Sequence, residues 1–225
     1  MSALQRFSLS MFVKSVENED IARLPLAAFE GSITVIDKPG KAFEHAIRYL
    51  KTKSILGFDT ESRPCFSAHQ PHFGVALLQL SGAERAFLFR IKTLGMQKSL
   101  CRILADANII KVGAAVADDI KGLQHYAKFE ARGFVDLQKV VWEWGIKDKS
   151  VKKMAAIILG MRISKSQQLS NWEAESLSES QQKYAATDAW VCREMYKRLQ
   201  VTEKNPLTPE EMAPQPAEHN TENNG

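Results

Sequence analysis

Three carboxylates and a phenol occur in two short segments whose patterns predict shared faces. Asp59 and Glu61 close the hydrophobic run 54–58, and the period-two geometry of a strand sends both side chains to the same side. Tyr184 and Asp188 lie four residues apart in a helical pattern, so they stack on one helix face. Three carboxylates that a fold brings together are typical of divalent-cation sites. Such sites often hold a pair of cations, which together catalyse the cutting or joining of phosphodiesters. By themselves, Asp59 and Glu61 would suit a solvated strand end better than a metal site, and it is their occurrence together with Tyr184 and Asp188 that favours the metal site.

A fourth carboxylate is expected at the start of a helix that follows another predicted strand. Asp118 and Asp119 begin the helical pattern after the strand pattern 109–113, and this helix would start near the same sheet edge. One member of the pair could serve only as a favourable charge at the helix N-terminus.

The patterns that must position these residues alternate between strand and helix. Pro39-Gly40 separates the first strand from the first helix, and residues 81–85 form a hairpin signal. Helices are predicted at 41–51, near 94–105, at about 117–127 and from 137 to 200, apart from a loop near 161–172. Strands are predicted at 32–36, 54–59, 75–80, 86–89, 109–113 and 134–136. This order predicts an α/β fold with a mixed sheet flanked by helices.

Composition narrows the class of protein. Hydrophobic residues make up 44% and charged residues 25% of the 225 residues, an ordinary globular balance. No apolar run approaches the roughly 20 residues of a membrane span, so no membrane association is expected. Cys65, Cys101 and Cys192 are far apart and form no CxxC motif, which indicates a reducing compartment and a cytoplasmic location.

Charge and proline content suggest three regions. We expect an N-terminal extension over 1–31, one domain over 32–202 and an acidic, disordered tail over 203–225, which contains four prolines. The tail carries five glutamates against Lys204 alone, so the rest of the chain is more basic than the overall net charge of +4. A basic body suits a polyanionic partner.

Three separated motifs carry a family resemblance. They are GFDTE at 57–61, KVG at 111–113 leading to Asp119, and LSNW at 169–172 followed by LSESQQKYAATDA at 177–189. Together they resemble the DEDDy subgroup of 3′–5′ exonucleases, and within it the Werner syndrome exonuclease domain and its free-standing bacterial relatives. Ribonuclease D shows a looser version of the third motif. The resemblance covers roughly residues 32–200.

This resemblance implies a fold and a site. The fold would be ribonuclease H-like, with a five-stranded mixed sheet and helices on both faces. Asp59, Glu61, Asp119 and Asp188 would bind two divalent cations, Mg²⁺ or Mn²⁺, and Tyr184 would orient the attacking water. Asp119 is preferred over Asp118 because counting from KVG gives the family spacing.

Two positions depart from related patterns. Lys183 occupies the place where the DEDDh subgroup carries its histidine, which favours the tyrosine class. Lys121 stands where the Werner domain carries a tryptophan, so the resemblance does not support a stacking contact there.

The implied activity is removal of nucleotides from free 3′ ends, with DNA favoured and RNA as the alternative. The enzyme would act alone or with a helicase or repair partner in trans. A catalytically inactive nucleic-acid-binding fold would lack at least one carboxylate, and a metal-dependent nuclease of another polarity would lack the Tyr184 spacing. Trp172 suits packing as well as base stacking. Nucleic-acid contacts are expected from Thr60, Arg162, Lys165, Ser170 and Trp172.

Overall fold

A six-stranded mixed sheet is the centre of the computed structural model, which describes residues 11–64 and 74–213. The strands of this sheet are β2 (Ser32–Ile36), β3 (Ile55–Ser62), β4 (Val75–Ser81), β5 (Arg85–Arg90), β6 (Ile110–Gly113) and β7 (Phe134–Asp136). Their order in the sheet is β2-β5-β4-β3-β6-β7. Pairs β3–β4 and β4–β5 are antiparallel, while β2–β5, β3–β6 and β6–β7 are parallel.

The predicted α/β fold with helices on both faces of a mixed sheet is confirmed, but the expected number of five strands is wrong. The three-residue edge strand β7 pairs with β6 and makes the sixth. The helices are α1 (Asn18–Arg23), α2 (Lys41–Leu50), α3 (Ile91–Leu94), α4 (Lys98–Ala105), α5 (Val116–Gln124), α6 (Leu137–Val140), α7 (Val151–Leu159), α8 (Glu179–Gln200) and α9 (Pro209–Met212), with a 3₁₀ helix at Val141–Trp144.

Apolar side chains on both faces of the sheet make the core. Along β4, Leu78 and Leu80 pack with residues of α2 and α4, whereas Leu77 packs with Leu177 and Ala185 on the other face. All seven residues of β4 are buried, as expected for a strand with both faces covered. This arrangement explains why its sequence is a continuous apolar run interrupted only by Gln79 and Ser81.

Helix α8 lies on the face of β3 that carries Asp59. A Cβ atom placed on Gly57 would lie 1.7 Å from the carbonyl oxygen of Ala189, so only glycine allows this close approach. The helix begins at Glu179 because Ser178 and Gln181 form a capping box. The loop before it therefore runs to 178, six residues beyond its predicted end near 172.

Residues on both sides of the predicted domain pack against it. The two-residue strand β1 (Leu26–Ala27) pairs in parallel with β8 (Arg162–Ile163), and Ile21 and Phe29 are buried. After residue 202, the structure differs from the expected disorder over 203–213, because Leu207 is buried and its amide donates to the carbonyl of Trp142. Residues 214–225 lie outside the described residues, and the division at 31 and 202 stays a prediction.

Across residues 11–64 and 74–213, none of the helices has both the length and the apolar character needed to cross a membrane.

Candidate metal centre

The carboxylates of Asp59, Glu61 and Asp188 meet where the end of β3 faces the middle of α8. One oxygen from each lies within 4.8 Å of the others, and all three residues are partly buried. Strand alternation places Asp59 and Glu61 on the same face, and the close approach at Gly57 brings α8 to them. The structure thus brings together three of the predicted site residues from segments about 130 residues apart.

Asp119 approaches this cluster from the first turn of α5. Its Oδ1 accepts a hydrogen bond of 2.5 Å from the hydroxyl of Thr60, which lies between Asp59 and Glu61 on β3. Asp119 is not a member of the three-residue cluster in this structure. Asp118 points to solvent and pairs with Lys121 at 3.1 Å, so the geometry favours Asp119 over Asp118 as the residue directed at the site.

The turn that aims α5 at the site was not anticipated from the sequence. Ala115 has a φ of 58°, the left-handed conformation that L-residues seldom adopt. Its amide donates to Asp136 Oδ1 at 2.9 Å, and the same oxygen accepts from the amide of Gln138. Asp136 therefore stabilises the turn before α5 and caps α6. An alanine at a left-handed position leaves no sequence signal, unlike a glycine.

Tyr184 lies one turn before Asp188 on α8. Its hydroxyl is hydrogen-bonded to the Asp188 carboxylate, and its ring packs against Trp172 with centroids 5.9 Å apart. Desolvation is the largest cause that raises the pKa of the phenol, and the charges of Asp188 and Glu61 add to it. The hydroxyl therefore stays protonated at neutral pH and remains available as a donor.

The clustered carboxylates hold their protons more tightly than isolated ones do. Desolvation raises the pKa of Glu61 to about 9, with Asp188 and Asp119 adding repulsion. Desolvation raises the pKa of Asp188 to about 7, although the Tyr184 hydrogen bond and Lys165 oppose the rise. The pKa of Asp59 is also raised, first by burial and then by Glu61 and Asp188.

For Asp119, desolvation raises the pKa to about 6, and the hydrogen bond from Thr60 partly offsets this rise.

The donor atoms of the cluster are all oxygens, and they are crowded and mutually repulsive. Such donors suit hard divalent cations such as Mg²⁺ and Mn²⁺. A cation would relieve the repulsion and allow the carboxylates to ionise, so the residues present fit such ions.

Of the residues expected to contact nucleic acid, some are hydrogen-bonded within the protein and one is exposed beside the carboxylate cluster. Thr60 is engaged with Asp119, and the Ser170 hydroxyl donates to Gln167. The Arg162 Nε donates to the carbonyl of Leu24 at 3.0 Å, so this side chain fastens β8 to the N-terminal segment. Lys165 is exposed and lines a cavity of about 200 Å³ together with Tyr184 and Asp188, next to the cluster.

Trp172 requires a correction. Its side chain is 0% exposed and packs with Leu77, Leu88 and Ala185. A ring without an exposed face cannot stack on a base, so the structure does not support the predicted contact of Trp172 with nucleic acid. Instead, the Trp172 ring packs beneath Tyr184.

Sequence reasoning missed the contribution of the N-terminal segment. Leu26, Ala28 and Glu30 line a cavity of about 410 Å³ that also borders Tyr184 and Asp188. A two-residue strand has no detectable periodicity, and nothing in the composition of residues 24–31 predicts a position beside α8.

Comparisons with known proteins identify the family to which the chain is similar. Residues 35–202 match a protein-family model described as a 3′–5′ exonuclease. The chain is 32% identical over 155 residues to exonuclease 3′-5′ domain-containing protein 2 of Drosophila melanogaster, a match that covers 67% of this chain and 26% of the relative. It is 27% identical over 190 residues to the bifunctional 3′-5′ exonuclease/ATP-dependent helicase WRN of Mus musculus, covering 78% and 13% of the two chains.

A solved structure extends the comparison to three dimensions. The crystal structure of RNase D from Escherichia coli, an exoribonuclease involved in structured RNA processing, superposes with a TM-score of 0.67 at 21% identity. The match covers 76% of this chain and 45% of that chain. The chain spans at most about a quarter of the length of the two curated relatives.

Proposed function

Because this chain belongs to the 3′–5′ exonuclease family, we propose that it removes nucleotides one at a time from the 3′ end of a nucleic acid. Its fold is the ribonuclease H-like fold of such domains. The observation that carries the proposal is the meeting of Asp59, Glu61 and Asp188 within 4.8 Å beside the Tyr184 hydroxyl. Such a grouping suits hydrolysis of a phosphodiester.

The proposed site is of the DEDDy type. Asp59, Glu61, Asp119 and Asp188 would hold two divalent cations, Mg²⁺ or Mn²⁺. Such ions, when bound, supply Lewis-acid stabilisation of the charge that develops on the phosphate and favour ionisation of the attacking water. The catalytic residues are these four carboxylates and Tyr184.

Tyr184 acts on the attacking water in this proposal. A phenol with a raised pKa is a poor base at neutral pH, so its role is to position the water through a hydrogen bond. Asp188 keeps the hydroxyl directed at the cluster, and the Trp172 ring restrains the phenol. Lys165 lies close enough to act on Asp188 electrostatically, so we propose that it contacts a substrate phosphate. Thr60, Arg162 and Ser170 remain proposed contacts to nucleic acid, and their hydrogen bonds also hold the fourth carboxylate and the surrounding loops.

We favour DNA as the substrate because the motifs resemble the Werner-type domain more closely than ribonuclease D. RNA 3′-end processing is the second candidate, favoured by the structural similarity to an exoribonuclease. The relative from mouse combines a 3′-5′ exonuclease with an ATP-dependent helicase, which supports a helicase or repair partner in trans. An inactive nucleic-acid-binding role is disfavoured because all four carboxylates are present.

The test uses 5′-labelled oligonucleotides of one sequence, made as single-stranded DNA, as DNA with a recessed 3′ end and as RNA. With Mg²⁺ or Mn²⁺ we expect a ladder of shortened products, and a 3′-phosphate should slow it. The double variant Asp59→Asn/Asp188→Asn, purified identically, controls for contaminating nucleases. Release of the 5′ label as mononucleotide in the first turnover contradicts the polarity, and full activity in excess chelator contradicts the need for metal.

A further inference from the structure

We propose that the segment Leu26 to Glu30 forms one wall of the subsite that holds the nucleoside of the 3′-terminal nucleotide. This inference rests on the proposed exonuclease function. The segment precedes residues 35–202, the range that matches the family model.

The segment is attached firmly to the elements that carry the site. Leu26 and Ala27 pair with Arg162 and Ile163 in a short parallel ladder. The amide of Phe29 donates to the Thr187 hydroxyl at 2.9 Å, and this hydroxyl donates in turn to the carbonyl of Lys183. Since Thr187 is adjacent to Asp188, the segment is anchored directly beside a proposed metal ligand.

Further contacts fix the course of the segment after β1. Phe29 is 2% exposed, and its ring packs against Trp190 with centroids 6.2 Å apart. Glu30 Oε1 lies 2.8 Å from Lys183 Nζ at the solvent-facing rim. The segment between β1 and β2 is therefore held to two successive turns of α8, so its exposed side chains form a defined wall.

The cavity beside this wall is the right size for one nucleoside. Its volume is about 410 Å³, within the range of about 300–1,000 Å³ common for small-ligand sites. Leu26 and Ala28 form an apolar side, while Ser164 and Ser166 supply hydroxyls across the cavity. Apolar contact to a base together with hydrogen bonds to a sugar would bind a nucleoside with little preference for base identity.

The expected direction of attack leaves this side of the site free for the terminal nucleoside. The attacking and leaving oxygens of a displacement at phosphorus lie roughly in line. With the water held at Tyr184, the departing strand points away from this residue, toward a cavity of about 640 Å³ lined by Thr60 and Asp119. The terminal nucleoside stays bonded to the attacked phosphate, and the cavity bordered by Tyr184 and Asp188 lies beside that phosphate.

The test compares two alanine-to-leucine substitutions in the N-terminal region. Ala28 lines the cavity, so Ala28→Leu fills it. Ala22 is exposed on α1 and does not line the cavity, so Ala22→Leu is the matched control. The substrates are thymidine 5′-monophosphate p-nitrophenyl ester, which carries a nucleoside, and bis(p-nitrophenyl) phosphate, which carries none.

We expect Ala28→Leu to lower kcat/KM for the thymidine ester, relative to bis(p-nitrophenyl) phosphate, by roughly tenfold. The KM for a single-stranded oligonucleotide should rise in parallel, and Ala22→Leu should behave as wild type. If Ala28→Leu does not fold, Leu26→Ala provides the second variant, because Leu26 is 54% exposed and its removal opens the same wall. That variant should lower the same ratio.

Two outcomes overturn the inference alone. An unchanged ratio in a folded variant shows that the wall does not contact the nucleoside. An equal loss on both esters shows that the segment acts only by positioning α8. If wild-type protein hydrolyses neither the esters nor the oligonucleotides with Mg²⁺ or Mn²⁺, the proposed function itself fails, and the inference fails with it.

Discussion

Tyr184 offers the sharpest test at the level of a single residue. Replacement by phenylalanine keeps the ring contact with Trp172 and removes only the hydroxyl. We expect Tyr184→Phe to lower kcat by about 10²–10⁴-fold, the range for a group that handles or positions a proton, with substrate affinity nearly unchanged. Single-turnover kinetics and equilibrium binding separate the two effects.

Tyr196→Phe is the control, because Tyr196 lies on the same helix and packs against a different part of the core. If Tyr184→Phe turns over at the wild-type rate, Tyr184 contributes packing alone.

The neighbouring pair Asp118 and Asp119 tests the assignment of the fourth carboxylate. Asp119 faces Thr60, whereas Asp118 is exposed. Loss of a residue that contacts a metal ligand, but not the metal itself, costs roughly 10–100-fold in activity. We expect Asp119→Ala to lower kcat by more than this, because Asp119 is a proposed metal ligand. Asp118→Ala should change kcat only slightly. Assays across a range of Mn²⁺ concentrations measure both effects, and the reverse ranking would shift the assignment by one residue.

Contact between β3 and α8 is the element-level feature on which the site depends. A side chain at position 57 would collide with the backbone of Ala189, and a helix backbone cannot shift without moving Asp188. We expect Gly57→Ala to destabilise the protein by about 3 kcal/mol or more and to abolish activity. Denaturant unfolding and the nuclease assay provide the two measurements.

Gly160→Ala is the comparison variant. Gly160 has a φ of 66°. Apart from its neighbours along the chain, no atom of the described residues lies within 4 Å of the position that a Cβ atom would take there. Its replacement should therefore cost only about 1–2 kcal/mol and retain activity. Similar behaviour of the two variants would contradict the importance of the close approach at Gly57.

The loop before α8 contributes a buried anchor to the same element. We expect Trp172→Ala to reduce the free energy of unfolding by about 3–5 kcal/mol, because the fully buried ring fills space beneath Tyr184. Trp142→Ala should cost clearly less, since Trp142 is 36% exposed. Wild-type stability combined with weaker nucleic-acid binding in Trp172→Ala would restore the stacking role.

At the scale of the whole molecule, the carboxylate cluster should make the metal-free protein sensitive to pH. The folded-state pKa values of Glu61, Asp188 and Asp119 are about 9, 7 and 6, all above their ordinary range. The folded state therefore binds more protons than the unfolded state, so this stabilisation is fully present below about pH 4 and is lost as pH rises through 6 to 9.

We expect the Tm of chelated protein to fall between pH 5 and pH 9, and Mg²⁺ or Mn²⁺ to raise it most at the higher pH. Thermal unfolding followed by circular dichroism measures this dependence. In the double variant Glu61→Gln/Asp188→Asn, the Tm of chelated protein should depend less on pH than in the wild type. Equal slopes for the two proteins would show that the cluster does not govern the pH dependence.

Local sequence determined the parts of the fold that depend on short-range periodicity. Alternation placed Asp59 and Glu61 on one face of a strand, and the spacing of four placed Tyr184 and Asp188 on one face of a helix. The six strand patterns appear as the six strands of the sheet, although the family resemblance implied five. These features were predictable because their physical cause lies within a few residues.

Tertiary packing decided the features that depend on distant partners. The structure, not the local pattern, shows that Trp172 is covered by β4 and α8 and that Asp119, rather than Asp118, faces Thr60. The N-terminal wall depends on the hydrogen bond from Phe29 to Thr187, across 158 residues of sequence. The sequence motifs alone were enough to identify which carboxylates could form the site. The wall beside these carboxylates exists only because the folded chain brings residues 26–30 against α8.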